Sequence, residues 1–255
     1  APVLAAVDAV SFDEDGSGST TLVGSDIDST DLTYSVSGGT DITATVDGST
    51  VSFTAPADFN GSESFTATVT DDQLSSSQTF TVTVNEVNDA PTLSAVDAVN
   101  FNDDSSTSIT LSGSDIDGDV LTFSLDTDAT HGGVVIDGNL ATYTPTLNYN
   151  GDDSFTFSVD DGEYTSNADV TLTVDAVNDA PVLATVSNVS FDEDGSGSTT
   201  LVGSDIDSTD LTYSVSTGTD ITASVDGAAL SFTAPADFNG SESFTATVTD
   251  DQLSS

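Results

Sequence analysis

The chain repeats itself, and that repeat fixes the size of any unit it can fold into. Asn-Asp-Ala-Pro stands at Asn88–Pro91 and returns at Asn178–Pro181. Ser25-Asp26-Ile27-Asp28 recurs as Ser114–Asp117 and Ser204–Asp207, at offsets of 89 and then 90 residues. Phe59-Asn60-Gly61 returns as Tyr149-Asn150-Gly151 and Phe238-Asn239-Gly240. Three repeats follow: 1–89, 90–179 and 180–255. The first and third differ at eight of 76 positions, whereas the second is diverged and carries one extra residue near His131. Such close copies fit a chain selected for length better than one selected for catalysis. Repeat three stops at Ser255, where repeat one goes on through Ser77-Gln78-Thr79-Phe80-Thr81-Val82-Thr83-Val84. It is therefore expected to lack a final strand. The plain reading is a window on a longer chain, and the sharper one is a strand supplied by a neighbouring molecule.

Within a repeat the apolar period is two, not 3.6. Thr79-Phe80-Thr81-Val82-Thr83-Val84, Ser64–Val69 and Leu32–Val36 all alternate polar and apolar, with β-branched and aromatic residues dominant. Val46-Asp47-Gly48-Ser49 reads as a hairpin turn between two such runs. Strands are expected near 3–12, 18–25, 31–37, 42–46, 50–54, 63–70 and 78–86. Seven short strands in about 90 residues predict an all-β chain of tandem immunoglobulin-like sandwiches, set end to end.

Charge decides what such units can meet. There is no Lys or Arg against 44 acidic residues, a formal charge of -44. Phosphate backbones and anionic membranes are excluded as partners. No stretch approaches the ~20 apolar residues of a membrane helix, so no direct membrane insertion is expected. With no Cys, disulfides and thiolate metal sites are excluded. No signal peptide opens the sequence, so any targeting signal is expected outside it. No side-chain cation is available to the carboxylates, so no internal salt bridge is expected. Self-repulsion must be relieved by screening or bound metal. Of the acids 38 are Asp and six are Glu. Asp suits turns and hard cations better than it suits helices. Repeats this small and this charged, with no Trp or Met, need help to stay folded.

The acids gather in four places per repeat. One is Asp13-Glu14-Asp15-Gly16, repeated around Glu193 and softened to Asn102-Asp103-Asp104. The second is Asp26-x-Asp28, with Asp115-x-Asp117 and Asp205-x-Asp207. Asp71-Asp72, Asp160-Asp161 and Asp250-Asp251 form the third. The fourth is the linker, Asn85-Glu86-Val87-Asn88-Asp89 and Asp175-Ala176-Val177-Asn178-Asp179. Ca²⁺ takes six to eight oxygen ligands, and loops with carboxylates two apart can converge on one ion. The bland alternative is that Asp caps turns on an acidic surface that needs no metal.

The run from Val87-Asn88-Asp89-Ala90-Pro91 through Ser114-Asp115-Ile116-Asp117-Gly118-Asp119 to Tyr149-Asn150-Gly151 resembles a cadherin-type repeat. More closely, it resembles the cadherin-like and VCBS-type tandem repeats of large bacterial RTX adhesins. That resemblance covers the whole chain and implies Ca²⁺ between consecutive repeats. It implies Glu14, Asp103 and Glu193 as base acids, and Asp71 and Asp161 as acids at the end of the penultimate strand. Linker ligands would be Asn88 with Asp89, and Asp175 with Asn178 and Asp179. Asp26 with Asp28, Asp115 with Asp117, and Asp205 with Asp207 would reach the ions from the following repeat. The sequence departs from the cadherin pattern in placing only Asn then Asp before Ala-Pro.

His131, the only histidine, has no partners for a triad or zinc site and reads as a loop residue. Acid pairs are too common to signal a glycosidase. A non-enzymatic extracellular role follows: a secreted or cell-surface bacterial spacer, its partners being the neighbouring repeats of the same chain. Extracellular calcium modules bind at ~10⁻⁴–10⁻³ M, so the sites would fill outside the cell. The first alternative is a filament or surface-layer subunit associating with its own copies. The second is a carbohydrate- or ice-binding module using a flat face such as Thr79, Thr81 and Thr83.

Overall fold

The computed structural model describes all 255 residues, and its regular elements are strands throughout. Repeat one has nine: β1 (Val3–Leu4), β2 (Val10–Asp13), β3 (Ser17–Thr21), β4 (Gly24–Ser25), β5 (Thr33–Gly38), β6 (Thr43–Asp47), β7 (Thr50–Thr54), β8 (Gly61–Thr70) and β9 (Ser75–Asn85). One sheet has the order β2-β9-β8-β5 and the other β3-β7-β6, with β1 and β4 paired separately.

The alternation read from the sequence decides which side chains fill the space between the sheets. From β9, Phe80, Val82 and Val84 turn inward and are buried. Each contributes about 1.5–3 kcal/mol relative to exposure. Phe53, Phe65 and Phe80 meet at 5.3, 5.9 and 6.1 Å between ring centroids, two of the three contacts edge-on. The outward positions of β8 and β9 carry hydroxyls that pair across the strands, Ser62 with Thr83 and Thr68 with Ser77, both at 2.9 Å. The hairpin falls where expected, with Asp47 opposite Thr50 and Gly48 at φ +59°.

Two expected strands are divided. The segment near 3–12 makes Val3–Leu4, which pairs with Gly24–Ser25, and Val10–Asp13, which runs parallel to Val82–Asn85. The chain changes sheets between them, and an alternation pattern carries no information on which sheet a strand joins. The segment near 18–25 divides for the same reason, since Ser17–Thr21 pairs with β7 and Gly24–Ser25 with β1.

The chain forms two compact units. The first is Ala1–Ser94 with Ser112–Thr122 and Val159–Ser166, and the second is Ala95–Leu111, Phe123–Ser158 and Asn167–Ser255. Repeat one thus shares a unit with the loops of repeat two that meet its linker, and repeat three with the remainder of repeat two.

Repeat three is the informative departure. Of the residues equivalent to β9, the described ones are Ser254-Ser255. Val189-Ser190-Phe191-Asp192 matches β2 residue for residue yet forms no strand. The counterpart of the ten-residue β8 is only Ala246–Thr249. β2 and β8 both hydrogen-bond to β9 in repeat one, so losing one strand unpairs two others.

Candidate metal centre

Each Asp-x-Asp loop is built by its first carboxylate. Asp115 Oδ1 accepts the N–H groups of Asp117, Gly118 and Asp119 at 2.9, 3.1 and 3.3 Å. Asp26 Oδ1 does the same for Asp28 and Ser29, and Asp205 Oδ1 for Asp207 and Ser208. One oxygen is used in shaping the turn. The other, Oδ2 of Asp26, Asp115 and Asp205, is buried with no hydrogen-bond partner.

At the first linker these loops meet acids from repeat one. Glu14 is only 6 % exposed. Its Oε1 accepts the Val87 N–H at 2.5 Å, while its Oε2 is buried and unpartnered. Asp89 donates its N–H to Asp117 Oδ2 at 2.8 Å. Asn88 Nδ2 donates to Asp161 Oδ2 at 3.0 Å and to the Asp89 carbonyl at 3.2 Å. Carboxylate oxygens of Glu14, Asp89 and Asp117 lie within 4.8 Å of one another, as do those of Asp115, Asp117 and Asp119, so Asp117 belongs to both groups. Burial, then the charges of Asp58, Asp117, Asp15 and Glu14, push the Asp89 carboxyl above the usual Asp range.

The second linker repeats the plan with one methylene less. Asp103, 6 % exposed, stands where Glu14 does and accepts the Val177 N–H at 3.0 Å. Asp179 donates to Asp207 Oδ2 at 2.7 Å, and Asn178 donates to Asp250 Oδ2 at 2.6 Å. The Oδ2 atoms of Asp179 and Asp205 are buried and unpartnered. Asp179 is pushed up by burial and by the charges of Asp104, Asp207, Asp103 and Asp205.

A third group, Asp26, Asp28 and Asp71, lies at the other end of repeat one. A hydrogen bond between Asp26 and Asp28 holds Asp26 down at about 2 and Asp28 above its usual value.

Four placements differ from the sequence reading. Asp71 sits at the far end of β8 from Glu14, so a single ion could not take both. Its Oδ1 accepts the N–H groups of Leu74 and Gln73 at 2.7 and 2.9 Å, which lower its pKa. Asp161 correspondingly lies beside the first linker and serves it from repeat two. Asp175 ends its strand exposed, contributing its backbone carbonyl to Asp103 N–H at 3.0 Å. Glu193 is exposed.

Missed altogether were carboxylates with a purely architectural task. Glu63 takes the N–H groups of Thr40, Asp41 and Ile42, and Glu242 takes those of Thr219, Asp220 and Ile221. Asp153 does this in repeat two for Thr130 and His131, and also accepts the Tyr143 hydroxyl at 2.8 Å. His131 stays in its loop, stacked on Tyr149 at 4.1 Å. Six Asp residues and Asn148 sit at φ between 56° and 80°, so turn chemistry claims part of the Asp surplus.

The donors fit a hard divalent cation: they are all oxygen, several of the oxygens lack any hydrogen bond, and Asp89 and Asp179 are held above their usual pKa by burial and then by neighbouring carboxylates.

No curated protein matches this sequence. Among solved structures, extracellular cadherin domains 1–4 of protocadherin gamma B7 superpose with a TM-score of 0.54 at 17% identity, over 100% of this chain and 74% of that one. Cadherin domains 1–5 of protocadherin gamma B2 give 0.53 at 15% identity, over 98% and 56%. The protocadherin gamma B4 extracellular domain gives 0.51 at 16% identity, over 100% and 47%. Identities this low speak to the fold alone, and this chain spans about half the length of the last two. The bacterial Ig domain model matches three times, over residues 1–85, 88–173 and 178–255. Those three matches account for nearly all of the chain: it belongs to the bacterial Ig domain family, as a cadherin-like tandem repeat.

Proposed function

We propose that the chain is a structural spacer of a secreted or cell-surface bacterial protein, of the extender type found in large adhesins, and that Ca²⁺ stiffens its inter-repeat junctions. A tandem array of bacterial Ig domains is consistent with an extender role and with an extracellular setting. The observation that carries the calcium reading is the set of buried, unpartnered carboxylate oxygens around each linker. Burying a carboxylate without a partner is costly, and a site holding several is strongly destabilised unless charge is supplied. Calcium supplies that charge. At the first linker Glu14, Asp89 and Asp117 would hold it, with Asp115 and Asp119 forming an adjoining group through Asp117. Asp103, Asp179, Asp205 and Asp207 would hold it at the second. Ligands would then come from both repeats and the linker, so binding would couple what the linker alone leaves free to bend.

Of Thr79, Thr81 and Thr83 on β9, only Thr83 spends its hydroxyl on a neighbour, Ser62 at 2.9 Å. Thermal melting tests the proposal. Millimolar calcium should raise the melting temperature over that in chelator, and Glu14→Gln should shrink the rise. An unchanged melting temperature would remove calcium from the account.

A further inference from the structure

The two linkers follow one plan but are not built from the same residues. Glu14 at the first corresponds to Asp103 at the second, Asp58 to Asn148, and Gly118-Asp119 to Ser208-Thr209. Each of these differences removes a carboxylate, or one methylene of its reach, from the second linker. Asp175, the acid that the second linker gains where the first has Asn85, stays exposed. The loops show the local cause. Gly118 stands at φ +84°, a left-handed conformation open to glycine at little cost. The turn lets Asp119 donate its N–H to Asp115 Oδ1 at 3.3 Å, and it sets an Asp119 carboxylate oxygen within 4.8 Å of those of Asp115 and Asp117. In repeat three Ser208 holds the glycine's position without a positive φ. Its hydroxyl accepts the Asp210 N–H at 3.1 Å, and Asp210 stays exposed.

The base acids differ in the same direction. Glu14 keeps a bare, buried oxygen at the first linker, where Glu14, Asp89 and Asp117 bring oxygens within 4.8 Å of one another. Asp103 is equally enclosed but has no bare buried oxygen, and no three carboxylates converge that closely at the second linker. Asp117 is half-buried, whereas its counterpart Asp207 is exposed. We propose, on the footing of the calcium reading, that the two linkers are unequal sites: the first, completed by Glu14 and Asp119, fills at lower calcium than the second. Ligand charge count and site rigidity set the affinity of calcium loops, and the first linker leads in both. Its oxygens already stand together, so binding there spends less on ordering the ligands. Between the two thresholds one joint is stiff and the next still bends. The array thus responds to calcium over a wider range than a string of identical joints.

Hydrogen exchange of the full chain, followed against free calcium, reads the linkers separately. Amides of Val87–Asp89 and Asp117–Asp119 should gain protection at a calcium level about tenfold below that needed by Val177–Asp179 and Asp207. Asp119→Asn removes one exposed charge and keeps the glycine turn, so it leaves folding intact. It should raise the first threshold toward the second and leave the second where it was. The reciprocal change, Ser208→Gly with Thr209→Asp, should lower the second threshold alone. Coincident thresholds in the parent chain would overturn the proposal while leaving calcium binding itself in place. A first threshold unmoved by Asp119→Asn would do the same. No calcium response at either linker would remove the calcium reading, and this inference with it.

Discussion

Repeats one and three start from nearly the same 76 residues and arrive at different structures. Val10-Ser11-Phe12-Asp13 is a strand, and the identical Val189-Ser190-Phe191-Asp192 is not. Phe53, Phe65 and Phe80 make a three-ring contact, of which repeat three keeps Phe232 and Phe244 at 5.3 Å. Glu14 is buried and its counterpart Glu193 is exposed. None of these differences originates at the residues that show it. In repeat one β9 and the linker behind it pair with β2 and β8, complete the core and bring a backbone donor to Glu14. Local sequence makes a segment competent for a strand, but only a partner makes it one.

The largest effect should come from making repeat one resemble repeat three. Phe80→Ala removes the third ring and should destabilise repeat one by about 3–5 kcal/mol. Hydrogen exchange resolved by repeat should then show Val10–Asp13 as unprotected as Val189–Asp192. The reverse construction, joining a copy of Ser77–Val87 to Ser255, should bury Glu193 and protect Val189–Asp192.

Next in size are the base acids. Glu14→Ala strands the Val87 N–H and should cost about 1–3 kcal/mol, whereas exposed Glu193→Ala should stay within about 0.5 kcal/mol. Urea melts of the two variants give the comparison, and equal losses would contradict the burial difference. Tyr34 and Tyr213 provide the control that β9 does not touch. Each hydroxyl accepts a glycine N–H at 2.9 Å, from Gly24 and Gly203. Tyr→Phe should cost about 0.5–1.5 kcal/mol at either position.

The smallest effect is a shared pH response. Burial acts to raise the Glu63 carboxyl, but the N–H groups of Asp41, Thr40 and Ile42 outweigh it and hold its pKa below the ordinary 4.5. Glu242 is lowered likewise, by Asp220 and Ile221. A depressed folded-state pKa gives stability that is complete above the unfolded value and lost as pH falls through the folded one. Both repeats should therefore weaken together below about pH 4.5. Glu63→Gln should flatten the acid dependence of repeat one alone, as melts from pH 6 down to 3 would reveal.

Much of this was legible beforehand. Strict alternation and the Asp47-Gly48 turn placed the strands, and the Asp-x-Asp recurrence placed the loops that meet at the linkers. What escaped was always a matter of partners. Alternation in Val3–Phe12 does not record a change of sheet. An acid's position along the chain does not reveal which end of a sandwich it reaches, so Asp71 and Glu14 looked alike and lie at opposite ends of β8. Nor does composition separate Glu63, saturated by three backbone donors, from Glu14, which keeps a bare buried oxygen.

On the proposed reading, cations at the linkers, held by acids from both flanking repeats, would turn a flexible acidic string into a stiff one. Small-angle scattering in millimolar calcium and in chelator measures this directly. A longer, narrower distance distribution is expected in calcium, reverting on chelation and weakened by Asp117→Asn. Identical profiles in the two buffers would contradict it.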